Sequence, residues 1–206
     1  HALNEVLAMG CWTPIERFAI DVDAEWQARL IKADGSEFAL IYKGQELGIV
    51  QWSMLGRHNV MNALAAFAAC AAVGVDVSKI ISNLKQFVSV KRRLEHIGTV
   101  QNITIYDDFA HHPTAIQTTL AGLRAKVGNA RIIAAMEPRS NSMRLGAHAE
   151  QIAPSLDDAD VVVFLHRPEL AWDAKAVVSA LKGEGHKVST VDDLIATLKT
   201  IALPGD

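Results

Sequence analysis

Between residues 17 and 53 four short segments rich in apolar residues, RFAIDV, WQARLI, FALIYK and ELGIVQW, are separated by polar breaks, with Asp34-Gly35 and Lys43-Gly44 as turn pairs. That pattern predicts a small meander of antiparallel hairpins. After Gly56 the texture changes to NVMNALAAFAACAAV, a run of helix formers stopped at Gly74, and a second helix is expected from Val77 to Phe87. Beyond Lys91 the rhythm becomes strand, helix, strand, helix. NITIYDD, RIIAAM and DVVVFL are short apolar runs of the kind buried in a parallel sheet, and KVSTV is a weaker one. Pro113 suits the first turn of a helix ending near Gly128, and further helices are expected from His148 to Leu156, Ala174 to Leu181 and Asp192 to Ile201.

The chain thus reads as two units, residues 1–90 and 91–206, the second an α/β three-layer domain. Its 206 residues are 50% apolar, enough for a real core. A formal net charge of −3, with no basic cluster beyond Lys91, Arg92 and Arg93, argues against a nucleic-acid partner. No run approaches a membrane span, and Cys11 and Cys70 make neither a disulfide framework nor a CxxC site, which suits a reducing, cytoplasmic setting. The chain opens on His1 without an initiator Met or a leader pattern, as a processed or partial chain would. Trp12, Trp26 and Trp52 are expected in core or domain packing.

Chemistry concentrates in YDDFAHHP, residues 106–113. Ligands of open parallel sheets bind outside the carboxyl ends of strands, which is where Asp107, Asp108, His111 and His112 fall. The plainer reading makes Asp108 a helix cap and the histidines surface residues. A metal-dependent hydrolase built on those four side chains is a reading from another class, although adjacent residues on one turn seldom converge on one ion. In GRHNVMNALAA, Asn59 and Asn62 lie three apart at a helix start, where they could pair with a base edge or simply cap. In KRRLE, the planar fork of Arg93 suits a phosphate or carboxylate, or else belongs to a solvated linker.

Taken in order, GRHNVMNALAA, KRRLE and YDDFAHHPTAI closely resemble the nucleotide-facing motifs of the Mur ligases, ATP-dependent amide-forming enzymes of bacterial peptidoglycan synthesis. The resemblance covers essentially the whole chain. It implies that residues 1–90 are the last part of a central ATPase domain, a β-meander plus two helices, and that 91–206 are the Rossmann-like carboxy-terminal domain. The doubled histidine before proline resembles the branch acting on UDP-N-acetylmuramate itself. EPRSNSMRLG, residues 137–146, resembles the members that join this sugar nucleotide to the recycled tripeptide L-alanyl-γ-D-glutamyl-meso-diaminopimelate, the alternative being addition of L-alanine. An ordinary loop capped at Ser140 or Asn141 is the plainer reading of that stretch.

The resemblance also implies roles. Asn59 and Asn62 would hold adenine, Asp108 the ribose hydroxyls, and Arg93 the phosphates of ATP. His111 would lie near the acyl phosphate or incoming peptide, either orienting the amine or stabilising an oxyanion. Arg139, Ser140, Asn141 and Arg144 would face the tripeptide, whose several carboxylates suit guanidinium recognition. Magnesium would accompany ATP, with its ligands mostly outside this chain. No G-x-x-x-x-G-K-[ST] occurs in the sequence, so the 206 residues alone are expected to be inactive, and the two helices of the first half to lack the parallel sheet they should cover. The resemblance implies no membrane partner and leaves the oligomeric state open.

Overall fold

A computed structural model describes residues 2–206. After a short helix α1 (Ala2–Ala8), strands β1 (Phe18–Ile20), β2 (Trp26–Leu30), β3 (Glu37–Tyr42) and β4 (Gln45–Gln51) form one sheet in sequence order. β2, β3 and β4 are antiparallel, and the β3–β4 turn places both Lys43 and Gly44 at positive φ, the backbone that a tight two-residue hairpin requires. The first pairing departs from the expected hairpins: β1 runs parallel to β2, with Phe18 opposite Trp26. The connection from 21 to 25 returns to the start of the next strand instead of reversing direction.

Helix α2 (Arg57–Ala72) buries Val60, Ala63, Leu64 and Phe67, the one-faced spacing of an amphipathic helix, against Trp26, Phe38, Leu40 and Val50 of this sheet. Each of the fully buried Leu64 and Phe67 contributes about 1.5–3 kcal/mol. Helix α3 (Val77–Leu84), capped by the Asp76 carboxylate on the Ser78 N–H, packs on β4. The two helices therefore pack on this meander and not on a parallel sheet, while Asn62, Ala66, Ala69 and Val73 on the other side of α2 are exposed. Trp26 is 2% exposed and Trp52 packs edge-on against Phe38, but Trp12 is 97% exposed, so it lies outside the expected core. It falls between α1 and β1, where no regular element is formed to cover it.

The second half opens on a hairpin of β5 (Glu95–Val100) and β6 (Ile103–Asp107). NITIYDD is thus a strand, but its hydrogen-bonded partner is β5, antiparallel, and not the parallel sheet. That sheet comprises β7 (Ile133–Met136), β8 (Val161–Leu165) and β9 (Glu184–Val188), with every residue of β8 buried. Around it lie α4 (Pro113–Val127), α5 (Asn141–Arg144), α6 (Ala149–Ser155), α7 (Ala174–Ser179) and α8 (Val191–Ile201). A second apolar cluster joins Ile116 and Leu120 of α4 to Ile152, Val162 and Phe164. Arg131 grips both carboxylate oxygens of Asp206, drawing the end of the chain against β7, and Gly205 donates to the Asn102 carbonyl at the hairpin turn. No helix among the described residues is long and apolar enough to cross a membrane.

Candidate functional site

Lys91 to Leu94 joins the two halves in an uncommon backbone. Arg92 and Leu94 both have positive φ, a conformation that costs a non-glycine residue roughly 1–2 kcal/mol. Side-chain and backbone contacts hold it, among them the Phe109 N–H on the Arg92 carbonyl at 2.9 Å. The Arg92 N–H donates to Glu95 Oε2 at 2.8 Å, Arg92 Nε lies 3.3 Å from Asp107 Oδ2, and the Leu94 N–H donates to Asp108 Oδ2 at 2.7 Å. Between the two left-handed residues, Arg93 is turned into a cleft of about 770 Å³ that both halves line, together with Asn59, Trp52, Tyr106 and Lys126. Arg93 makes no ion pair among the described residues, whereas Arg92 is committed to Asp107 and to the Phe109 ring.

Asn59 is half-buried and donates its amide to the Leu55 carbonyl at 2.7 Å, leaving its oxygen for the cleft. Asn62 is exposed and lines neither this cleft nor the cavity of the second half. The other Asp108 oxygen accepts the Ala110 N–H at 2.7 Å, so this carboxylate pins the junction and the β6–α4 loop at once. Thr119 Oγ1 donates to that same oxygen at 3.5 Å, and because a carboxylate has about four lone-pair positions, acceptor capacity remains after these three bonds. His58, between Arg57 and Asn59, is half-buried and feels the charges of Asp108 and Arg93. Burial pushes its imidazole below the ordinary histidine range, Asp108 pulls it back part of the way, and Arg93 pushes it down again.

The doubled histidine divides into two different groups. His112 caps α4 by accepting the Thr114 N–H on Nδ1 at 3.2 Å, which leaves Nε2 as the nitrogen that carries the proton. His111 is exposed, and its Nδ1 lies 2.9 Å from the Phe109 carbonyl. A carbonyl only accepts, so Nδ1 of His111 carries a proton, and Nε2 is left free of that bond. With Asp107 on Arg92, Asp108 on backbone N–H groups, His111 on the Phe109 carbonyl and His112 on a helix end, the four side chains of the hydrolase reading have separate partners. Among the described residues no three His, Cys, Asp or Glu side chains come together as a metal ion would need.

A second cavity, about 310 Å³, opens at the carboxyl ends of β7 and β8 and is lined by Arg139, Arg144, Arg167, Glu137 and Glu169. Its wall is anchored from beneath. Met143 is buried, Trp172 Nε1 donates to the Met143 carbonyl at 2.6 Å, and the Ala171 N–H donates to the Arg144 carbonyl. Ser140 caps α5 through the Met143 N–H, and Asn141 is exposed beside it. Arg167 is paired with Glu137 at 3.0 Å, while Arg139 and Arg144 make no ion pair among the described residues. Glu137, Arg167 and Glu169 were not singled out by their sequence context. For Glu137 the signal was nonetheless there, since it directly follows the apolar run RIIAAM, at a strand end where ligands collect.

Two family models match this chain: "Mur ligase middle domain" over residues 11–70 and "Mur ligase, glutamate ligase domain" over 92–206. A UDP-N-acetylmuramate–L-alanyl-γ-D-glutamyl-meso-2,6-diaminoheptandioate ligase of Escherichia coli is 42% identical over 205 residues, 99% of this chain and 44% of the relative. Its Haemophilus influenzae counterpart is 41% identical over 207 residues, covering 100% and 45%. The crystal structure of a murein peptide ligase from Psychrobacter arcticus superposes with a TM-score of 0.68 at 42% identity, over 100% of this chain and 45% of that one. A UDP-N-acetylmuramate–alanine ligase from Thermotoga maritima, 23% identical over 92% of this chain and 42% of its own, shares the fold with a TM-score of 0.73. The chain thus spans less than half the length of the curated relatives it matches.

Proposed function

This chain belongs to the Mur ligase family, and on that premise we propose that it forms the part of an ATP-dependent ligase that joins UDP-N-acetylmuramate to L-alanyl-γ-D-glutamyl-meso-diaminopimelate. The observation that carries the choice of peptide is the second cavity, where Arg139 and Arg144 stand without carboxylate partners among the described residues, beside a third arginine. Several guanidinium groups suit a peptide with several carboxylates better than they suit L-alanine, which brings one. Identity of 41–42% across the whole chain to two ligases named for that tripeptide supports the same choice.

The chemistry proceeds in two steps. The sugar carboxylate attacks the γ-phosphorus of ATP, giving an acyl phosphate and ADP. The peptide amine then attacks the acyl carbon, the tetrahedral anion collapses with loss of phosphate, and the amine gives up a proton. Asn59 and Arg93, facing one cleft, would hold the base and the phosphates, and the remaining acceptor capacity of Asp108 would meet the ribose hydroxyls. The role expected of Asn62 requires the base to extend beyond the residues that line this cleft. With Nδ1 engaged by the Phe109 carbonyl, His111 would turn Nε2 toward the amine, to orient it and, in the neutral form, take its proton. The magnesium that accompanies ATP finds no grouped ligands among the described residues, and this chain's part is that of its own side chains.

The test uses the gene product that carries this chain, assayed for tripeptide-dependent ADP release. Arg139→Ala should raise the KM for tripeptide roughly tenfold to a hundredfold, the loss of a charge-assisted bond of about 1.5–3 kcal/mol, with little change for ATP. Equal changes for both substrates would make the loop structural. Preference of the unaltered protein for L-alanine over tripeptide would overturn the choice of peptide.

A further inference from the structure

The connection from β7 to α6 carries Arg139, Ser140 and Arg144, and it ends at His148, which occupies the position preceding the first turn of α6. His148 has a free hand there. Its side chain makes no capping hydrogen bond; instead its ring stands edge-on to that of His112, with centroids 4.5 Å apart and planes at 65°. Near the other end of the same connection, Ser140 Oγ lies 3.4 Å from the His111 carbonyl, to which it donates. Two adjacent residues of the β6–α4 loop are thereby attached to two separated points of the arginine-bearing segment. His112 is itself fixed, since its Nδ1 holds the Thr114 N–H at the head of α4.

We propose that His148 is a positioning residue. Through His112 it sets the arginine-lined cavity and the His111 imidazole as one unit, so that a ligand held by Arg139 and Arg144 meets Nε2 of His111 at a fixed separation. Aromatic rings in this edge-to-face arrangement attract each other beyond simple burial, and they also resist sliding. The inference rests on the proposed peptide ligation for its catalytic meaning. The mechanical coupling does not.

The test therefore has two readouts. In the gene product that carries this chain, His148→Ala should raise the KM for tripeptide and lower kcat, together by about tenfold to a hundredfold in kcat/KM, as misplacing a bound group by an ångström does. The KM for ATP should stay within about twofold, and His148→Phe, which keeps the ring edge, should recover most of the loss. Equal effects on ATP and tripeptide, or no rescue by Phe, would reduce His148 to a merely structural role and overturn the proposal. In parallel, amide NMR of the 206-residue chain should show that His148→Ala shifts signals around Ser140 as well as around His112 and Thr114. Unmoved Ser140 and His111 signals would overturn the coupling itself. If the unaltered gene product fails to use tripeptide, the ligase reading fails, and the NMR arm still decides whether the two loops move as one.

Discussion

Gly122 of α4 and Gly56, just before α2, touch backbone to backbone: a β-carbon on Gly122 would lie 2.9 Å from the Gly56 α-carbon. Gly56 cannot retreat easily. Its N–H donates to the Asp34 carbonyl at 2.7 Å and its φ of 89° is a glycine conformation. Next to this contact Lys126 of α4 reaches the buried Asp34 carboxylate at 3.7 Å. Burial pushes that carboxyl up, but the Ser36 hydroxyl and N–H, with Lys126 and Lys32, hold it below the usual carboxylate range. The two halves of the chain meet at a place that admits no side chain.

Gly122→Ala sets two effects against each other. In a helix interior alanine is favoured over glycine by about 1 kcal/mol, which should stabilise α4. The new methyl, however, meets backbone and not a side chain that could rotate away. The expected outcome is a second half no less stable to urea and a more extended molecule by small-angle scattering, as α2 and α4 part. An unchanged scattering profile would show that the contact yields locally.

Asp108→Asn keeps the shape and removes one acceptor. A single amide oxygen can serve the Leu94 or the Ala110 N–H, and the NH₂ then faces a donor. A loss of about 1.5–3 kcal/mol in stability is expected, with faster hydrogen exchange at Leu94, where the charged acceptor holds a strained residue. Affinity for a non-hydrolysable ATP analogue should fall as well, because Arg93 loses its fixed direction. Native exchange rates at both amides would sink the idea.

His58 makes the junction sensitive to acid. Its folded-state pKa lies below the ordinary value of about 6.5, so below that pH the unfolded chain binds the proton more readily. The contribution of the neutral ring is complete above about pH 6.5 and is lost as pH falls through the folded value. Urea midpoints measured from pH 7.5 downward should decline less steeply in His58→Gln than in the unaltered chain. Parallel declines would assign the acid sensitivity to other groups.

The legible parts of this fold were those with a period or a stop. Val60, Ala63, Leu64 and Phe67 repeat on one helical face, VVVFL is apolar throughout and forms the buried β8, and Gly74 and Gly128 stand where the helices end. β5 was missed because EHIGTV is mostly exposed and lacks alternation; among the described residues it pairs with β6 alone. The turn between them, Gln101-Asn102, has both residues at positive φ, as in the Lys43-Gly44 hairpin, but without a glycine to announce it. In the site, motifs contiguous in sequence were readable, as with Arg139 and Arg144. Arg167 was not, because it meets them only across adjacent strands. Nor could sequence tell that Asn59 and Asn62 part company, one toward the cleft and one toward solvent.

No residue belongs to both apolar clusters: one draws on Ile20 to Leu84, the other on Ala110 to Leu181. Each half therefore carries its own margin against mutation, and volume lost from one interior leaves the other's packing intact. Such a chain can diversify unevenly. The half bearing the arginine-lined cavity can accept substitutions that retune what it grips, while the half bearing Asn59 keeps its interior unaltered, provided the glycine contact and the Asp108 tether between them are preserved.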